Sequence, residues 1–168
     1  MNILLTDKCS NNCRYCFAKE KLEEHSMFNE MPVENYRKIL EFLKKSDICH
    51  VKLLGGEPFL HSNISEIIRM TCEEFNFITI FTGGIFPEDL ISLLTSEKIN
   101  IVLNTNHPSD YEKGKREIFI KNLDYMSELG LDITLGYNIY KIDFDCKFII
   151  ELLDYYKIKK LRWAVSVP

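Results

Sequence analysis

Short apolar runs alternate with amphipathic stretches along this chain. The runs NILLT (residues 2–6), VKLLG (51–55), ITIFTG (78–83), INIVLNT (99–105), DITLGYNIY (132–140) and LRWAVSV (161–167) are rich in β-branched or aromatic residues and bounded by Gly, Asn or Pro. They predict strands. The stretches between them repeat apolar positions at helical spacing. VENYRKILEFLKK puts Tyr36, Ile39, Leu40 and Leu43 on one stripe behind Pro32. NISEIIRMTCEEF does the same with Ile64, Ile67, Ile68, Cys72 and Phe75, capped by Ser62 or Asn63. PEDLISLLTSEK opens on Pro87, REIFIKNLDYMSELG stops at Gly130, and FDCKFIIELLDYYK carries Ile149, Leu152, Leu153 and Tyr156. Six strands and five helices are thus expected.

Strand–helix repetition implies a parallel sheet, because parallel neighbours need a crossover between them. A closed eight-fold barrel uses about 250 residues, so the chain has room for roughly five or six such units. The expected fold class is α/β: a partial parallel (β/α)6 TIM-like barrel, truncated after the sixth strand. An open doubly wound sheet is the competing architecture. No linker, low-complexity segment or repeat divides residues 1–168, which read as one core domain lacking a C-terminal extension. Trp163 on strand six is read as core, and Arg162 as core-edge or facing a carboxylate. Parallel strands are normally covered on both faces, yet no helix follows strand six. Exposed apolar area near Trp163 and Val165 is therefore expected, with a missing C-terminal domain or self-association to cover it.

Composition narrows the class. Charged residues make up 27% and hydrophobic ones 46%, the balance of an ordinary globular protein. A net charge of −4 argues against a nucleic-acid partner and against a membrane-surface helix. KIKKLR (157–162) reads as the wet end of a helix entering a strand. The apolar run at the N-terminus is too short for a signal peptide, and no later run is long enough for a bilayer. A cytoplasmic location without membrane attachment is expected. There, the six cysteines read as metal ligands or buried thiols.

Ligands of parallel α/β folds bind at the carboxyl ends of the strands. Those ends carry in turn the cysteine cluster CSNNCRYC (9–16), GGEP (55–58), TGG (82–84), NTNH (104–107), GYN (136–138) and SVP (166–168). Unusual chemistry thus gathers on one face. Gly55 and Gly56 allow backbone to approach a ligand closely. Pro58 extends and stiffens Glu57, whose carboxylate suits an ammonium group. A plain turn with a solvated Glu is the competing reading. Cys9, Cys13 and Cys16 can hold three corners of a 4Fe-4S cube, leaving the fourth iron open to an exchangeable ligand with an amine and a carboxylate.

On CSNNCRYC, with the aromatic Tyr15 before its last cysteine, and GGEP after the second strand, the sequence resembles the radical S-adenosylmethionine (radical SAM) family. The resemblance extends over the whole chain through strand order. It implies an enzyme in which a 4Fe-4S cluster reductively cleaves S-adenosylmethionine, and a 5′-deoxyadenosyl radical then abstracts hydrogen from a substrate. It also implies roles for residues. Cys9, Cys13 and Cys16 ligate the cluster, backbone near Tyr15 contacts the adenine, and Gly55, Gly56 and Glu57 bind the methionine amine. Asn104 and Asn138 contact the ribose or carboxylate, and Thr82 contributes to the same pocket. TGG stands where Thr-Asn-Gly is more usual, so one side chain is missing there. An external electron donor such as a flavodoxin or ferredoxin is implied. LTDKCSNNCRYCF with LGGEP and the final LRW…P looks like the peptide- and protein-modifying branch, with nucleotide- and cofactor-modifying branches open.

The remaining cysteines read as structural. Cys72 lies on a helix stripe, Cys146 three residues before Ile149, and Cys49 in phase with Val51 and Leu53. His25, His50, His61 and His107 read as loop or capping residues. The alternative function is a non-catalytic iron–sulfur or zinc-binding module for structure or partner binding. Zinc would want a fourth ligand at short spacing, and His25 is the nearest candidate.

Overall fold

The computed structural model describes residues 1–16 and 29–166. His25, Val167 and Pro168 lie outside them. Six strands form one sheet: β1 (Asn2–Leu4), β2 (His50–Leu54), β3 (Phe77–Thr82), β4 (Ile99–Thr105), β5 (Ile133–Ile139) and β6 (Lys160–Val165). Their spatial order is their chain order, and every neighbouring pair is parallel. A doubly wound sheet would reverse direction at a switch point. The unbroken order therefore selects the partial barrel, open between β1 and β6.

Helices α1 (Val33–Lys45), α2 (Ile64–Glu74), α3 (Lys115–Glu128) and α4 (Lys147–Tyr156) cover one face of the sheet. Alternation along each strand explains why. Ile3, Val51, Leu53, Ile78, Ile80, Ile101, Leu103 and Leu135 point to the helices and are buried. They meet Tyr36, Leu43, Ile67, Phe119, Leu123 and Ile149 from the helix stripes. The opposite face mixes Thr79, Asn100, Thr134 and Arg162 with Leu54, Phe81, Val102 and Ala164. Its lower part is laced by His50 to Thr79 (2.9 Å) and Asn100 to Asp132 (3.0 Å).

Several elements differ from the sequence expectation. PEDLISLLTSEK forms a 3-10 helix, Glu88–Leu94, in place of an α-helix. Its apolar residues pair three apart, Leu90 with Leu93 and Ile91 with Leu94, which suits three residues per turn. The Ser92 and Thr95 hydroxyls donate to the carbonyls of Asp89 (2.8 Å) and Ser92 (3.1 Å), competing with α-helical bonding. Cys49 is exposed because it precedes β2 at the mouth of the sheet remote from the strand ends, while Cys72 and Cys146 pack against the core. Trp163 is 45% exposed and Val165 71%, since no element packs on the outer side of β6 among the described residues. Trp163 keeps one edge contact, with Tyr137.

Histidine caps replace the expected side-chain caps at α2. Asn63 occupies the cap position without a side-chain bond. His61 Nδ1 accepts from the Asn63 amide at 3.0 Å, so its Nε2 carries the proton and donates to the Met31 carbonyl at 2.9 Å. His107 likewise accepts from Ser109 N at the start of the short 3-10 turn Pro108–Asp110. Both histidines thus serve the backbone.

One buried side chain ties a helix to a strand end. Asn122 of α3 is 1% exposed, and its amide donates to the carbonyls of Gly84 (3.0 Å) and Phe86 (2.9 Å). Asn122→Ala leaves two buried acceptors unpaired and should cost about 2–3 kcal/mol. Urea unfolding should show a lower midpoint with an unchanged slope. A loss below about 0.5 kcal/mol would contradict this account.

Candidate functional site

The carboxyl ends of the strands surround a cavity of about 810 Å³. Strand alternation sends Leu54, Phe81, Asn104, Asn138, Arg162 and Ala164 into it. The cysteine loop lies across it, and Cys9, Cys13 and Cys16 all line its wall. The ten residues singled out for cofactor contact in the sequence, Cys9, Cys13, Tyr15, Cys16, Gly55, Gly56, Glu57, Thr82, Asn104 and Asn138, are all among its lining.

The loop is fastened to the end of β2 by backbone. Gly56 N donates to Thr6 O and Glu57 N to Lys8 O, each at 2.7 Å. Side chains at the two glycines would collide with this run. A Cβ on Gly55 would stand 2.7 Å from Thr6 O, and one on Gly56 2.4 Å from Lys8 O. The close approach that these glycines permit is therefore made by the chain's own cysteine loop. Thr6, fully buried, anchors the other side by donating to Asn29 O at 2.6 Å.

Glu57 is 1% exposed, so its carboxylate is not a solvated turn residue. Oε1 accepts from Thr82 Oγ1 and Oε2 from Gly83 N, both at 2.8 Å. The Thr82 hydroxyl in turn accepts from Gly84 N at 3.0 Å. Burial pushes the Glu57 carboxyl up to about 7, against the hydrogen bonds from Gly83 and Thr82 that favour its anion. Next to it, a Cβ on Gly83 would stand 2.3 Å from Asn11 Nδ2. An amide from the cysteine loop thus fills the space that the TGG stretch leaves free.

The three thiols feel one another. Burial raises the Cys9 thiol to about 11, a bond from the Asn11 amide opposes this, and the charges of Glu57, Cys13 and Cys16 add to the rise. Burial also raises Cys13, while the Asn106 amide, the neighbouring Tyr15 hydroxyl and the Lys115 ammonium lower it. Mutual repulsion among thiolates is relieved when a cationic centre lies between them.

Sequence reading missed Asn106 and Lys115. Asn106 is 7% exposed and follows Asn104 on the inward side of β4's end. Its Oδ1 accepts from Tyr15 Oη at 2.5 Å, and its Nδ2 lies 3.6 Å from Cys13 Sγ. Its backbone amide donates to Tyr111 Oη at 3.1 Å. The period-two alternation of Asn100, Asn104 and Asn106 was the available signal. Lys115, at the start of α3, donates to Ser10 O within the loop and pairs with Glu112 at 2.6 Å. No local pattern ties it to residues a hundred positions earlier. Arg162 reaches across the concave face to stand 5.6 Å over the Phe81 ring. Of the two positions expected for it, core-edge or facing a carboxylate, the structure shows instead a guanidinium over an aromatic ring on the cavity wall.

Among the described residues, no three His, Cys, Asp or Glu side chains close on a single-ion site. A zinc ion would need each thiolate within about 2.3 Å of one centre. A cube distributes three thiolates over three irons, so the spaced donors around one cavity fit a cluster better than a lone ion.

An open parallel α/β barrel with three cysteines on the loop after β1, facing a glycine-walled carboxylate after β2, defines a class of iron–sulfur fold. The chain belongs to the Radical SAM superfamily, whose family model matches residues 3–152. That family uses a 4Fe-4S cluster and S-adenosylmethionine. A probable GTP 3′,8-cyclase of Methanococcus maripaludis is 28% identical over 159 residues, 90% of this chain and 52% of that protein. The antilisterial bacteriocin subtilosin biosynthesis protein AlbA of Bacillus subtilis is 22% identical over 147 residues, 82% of this chain and 32% of AlbA. Streptococcus suis SuiB bound to S-adenosylmethionine superposes with a TM-score of 0.75 at 23% identity, over 98% of this chain and 38% of SuiB. SuiB bound to its precursor peptide SuiA gives 0.76 at 22%, with the same coverage. At such identities, the superpositions establish the fold. The chain spans about half the length of the cyclase relatives it matches. No helix among the described residues is long and apolar enough to cross a membrane.

The Glu57 carboxyl gives a pH signature. It titrates near 7 in the folded chain, against an ordinary 4.5. Between those values the folded chain holds a proton that the unfolded chain has released. Stability of the cofactor-free chain should therefore fall as pH rises from about 4.5 to about 7, then level off. Thermal melts across this window should show a flatter dependence for Glu57→Gln than for the parent. Parallel curves would mean that Glu57 titrates normally.

Proposed function

We propose that residues 1–168 are the cofactor-bearing core of a radical SAM enzyme acting on a peptide or protein. One observation carries this reading: Cys9, Cys13 and Cys16 share a single cavity with the buried Glu57 carboxylate and the Gly55–Gly56 backbone. The three thiolates hold three irons of a 4Fe-4S cluster. When bound, that cluster supplies the electron that splits a carbon–sulfur bond of S-adenosylmethionine, giving methionine and a 5′-deoxyadenosyl radical that takes hydrogen from the substrate.

The chain's own residues bind and orient. Glu57, held by Thr82 and Gly83, offers its carboxylate to the methionine ammonium, whose charge favours the ionised form. Backbone around Tyr15 faces the adenine, while Asn104 and Asn138 supply amides for the ribose or carboxylate. The sheet's apolar helix side excludes water beneath the site, and its open edge between β1 and β6 leaves room for a substrate larger than a metabolite. An external flavodoxin or ferredoxin delivers the electron in the cytoplasm. The names of AlbA and SuiB, and the SuiA peptide carried by SuiB, favour the peptide reading. A nucleotide substrate is the second reading, favoured by the GTP-cyclase relatives and by Arg162 and Lys115 on the cavity wall.

Anaerobic reconstitution should give about four irons per chain with the charge-transfer absorption of an iron–sulfur cluster. Cys13→Ala should lose that iron and Cys72→Ala should keep it. Addition of S-adenosylmethionine and reductant should release 5′-deoxyadenosine. Candidate peptides and nucleotides are then compared by product mass. A chain that binds one zinc and no iron, or a cluster-loaded chain that leaves S-adenosylmethionine intact under reduction, would overturn the enzymatic reading.

Glu57→Ala should weaken S-adenosylmethionine binding to the cluster-loaded chain by about 1.5–3 kcal/mol, the loss of one charge-assisted hydrogen bond. Calorimetry giving equal affinity for variant and parent would reject Glu57 as the amine partner.

A further inference from the structure

We propose that Asn106 is a positioning residue that donates a hydrogen bond to the Cys13 sulfur and thereby raises the reduction potential of the cluster held there. This rests on the functional reading above, and specifically on Cys13 being an iron ligand.

The donor direction follows from chemistry. A metal-bound thiolate has no proton and can only accept. The Asn106 amide must therefore turn Nδ2–H to Cys13 Sγ, 3.6 Å away. Its Oδ1 is then left to accept from the Tyr15 hydroxyl at 2.5 Å. The sulfur also lies 3.9 Å from Oδ1, but a thiolate has no proton to give that oxygen, so the nearer Nδ2 is the end that bonds it. The two bonds run in one direction, from Tyr15 through Asn106 to the sulfur, and each polarises the next.

Rigidity supports the same assignment. Asn106 is 7% exposed, and its backbone amide is fixed by Tyr111 Oη. Its amide meets Tyr15 and Cys13, which lie 91 and 93 residues away in sequence. A core asparagine that serves packing alone is satisfied by backbone carbonyls, as Asn122 is. Asn106 instead spends both ends on the cysteine loop. Hydrogen bonds to cluster sulfurs stabilise the more negative, reduced state and so raise the potential.

The test is a redox titration of the reconstituted protein followed by electron paramagnetic resonance, with iron content measured first. Three variants are compared with the parent. Asn106→Asp keeps the shape but replaces the donor by an acceptor, Asn106→Ala removes the amide, and Tyr15→Phe removes the hydroxyl that fixes its orientation. The midpoint should move to more negative values in all three, least in Tyr15→Phe. In D2O the parent should show one exchangeable-deuteron coupling to the reduced cluster beyond that of the Asn11 amide on Cys9, and Asn106→Ala should lose that one. If Asn106→Ala holds no iron, the Asn106→Asp and Tyr15→Phe midpoints decide. Iron-loaded Asn106→Asp with the parent's midpoint overturns this inference and leaves the functional reading standing. A parent that takes up no cluster overturns both.

Discussion

The site rests on the contact between the cysteine loop and the end of β2. Two backbone bonds, Gly56 N to Thr6 O and Glu57 N to Lys8 O, press the loop onto the neighbouring strand end. Only residues without a Cβ fit beneath it, because the carbonyls of Thr6, Asp7 and Lys8 occupy that space. This one approach brings Cys9 and Glu57 to the wall of the same cavity. The GGEP stretch therefore has two uses. Its glycines seat the loop, and its glutamate supplies a charge.

The rest of the site follows from a sheet with two unlike faces. Alternation gives the helix side its apolar residues and the concave side its amides, hydroxyls and Arg162. The polar residues among the Leu54, Phe81 and Ala164 of that face are tolerated because they line a wide cavity, where water or a ligand can satisfy them. The same openness exposes the outer face of β6, where Trp163 and Val165 have little to pack against.

Charge in the cavity is held in tension. Glu57 is buried with hydrogen-bond donors and no cation among the described residues, which lifts its carboxyl toward neutrality. Burial likewise raises the thiols of Cys9 and Cys13, and thiolate charge on their neighbours adds to it. A ligand bringing an ammonium group and a metal cluster bringing positive charge would relieve both. The hydrogen-bonded set around Cys13 and Glu57 is already in position, so little reorganisation is required.

Much of this was legible in the residue pattern. The strand and helix alternation followed from apolar periodicity, and the site's location followed from polar residues gathering at the strand ends. The three cysteines and GGEP could be read because each is a local signature. Tertiary structure alone decided the rest. Sequential strand order, which separates a partial barrel from a doubly wound sheet, depends on how crossovers pack. The stretch after β3 became a 3-10 turn because its apolar pairs fall three apart against the core. Cys49 and Trp163 lie outside the core because burial depends on which elements cover a strand, and local hydrophobicity cannot report that. Asn106, Lys115 and Arg162 acquired their contacts from residues about eighty to a hundred positions away. Local sequence specifies the type of side chain and the face of the strand, but partners so distant are chosen only when the folded sheet places its strand ends around one cavity.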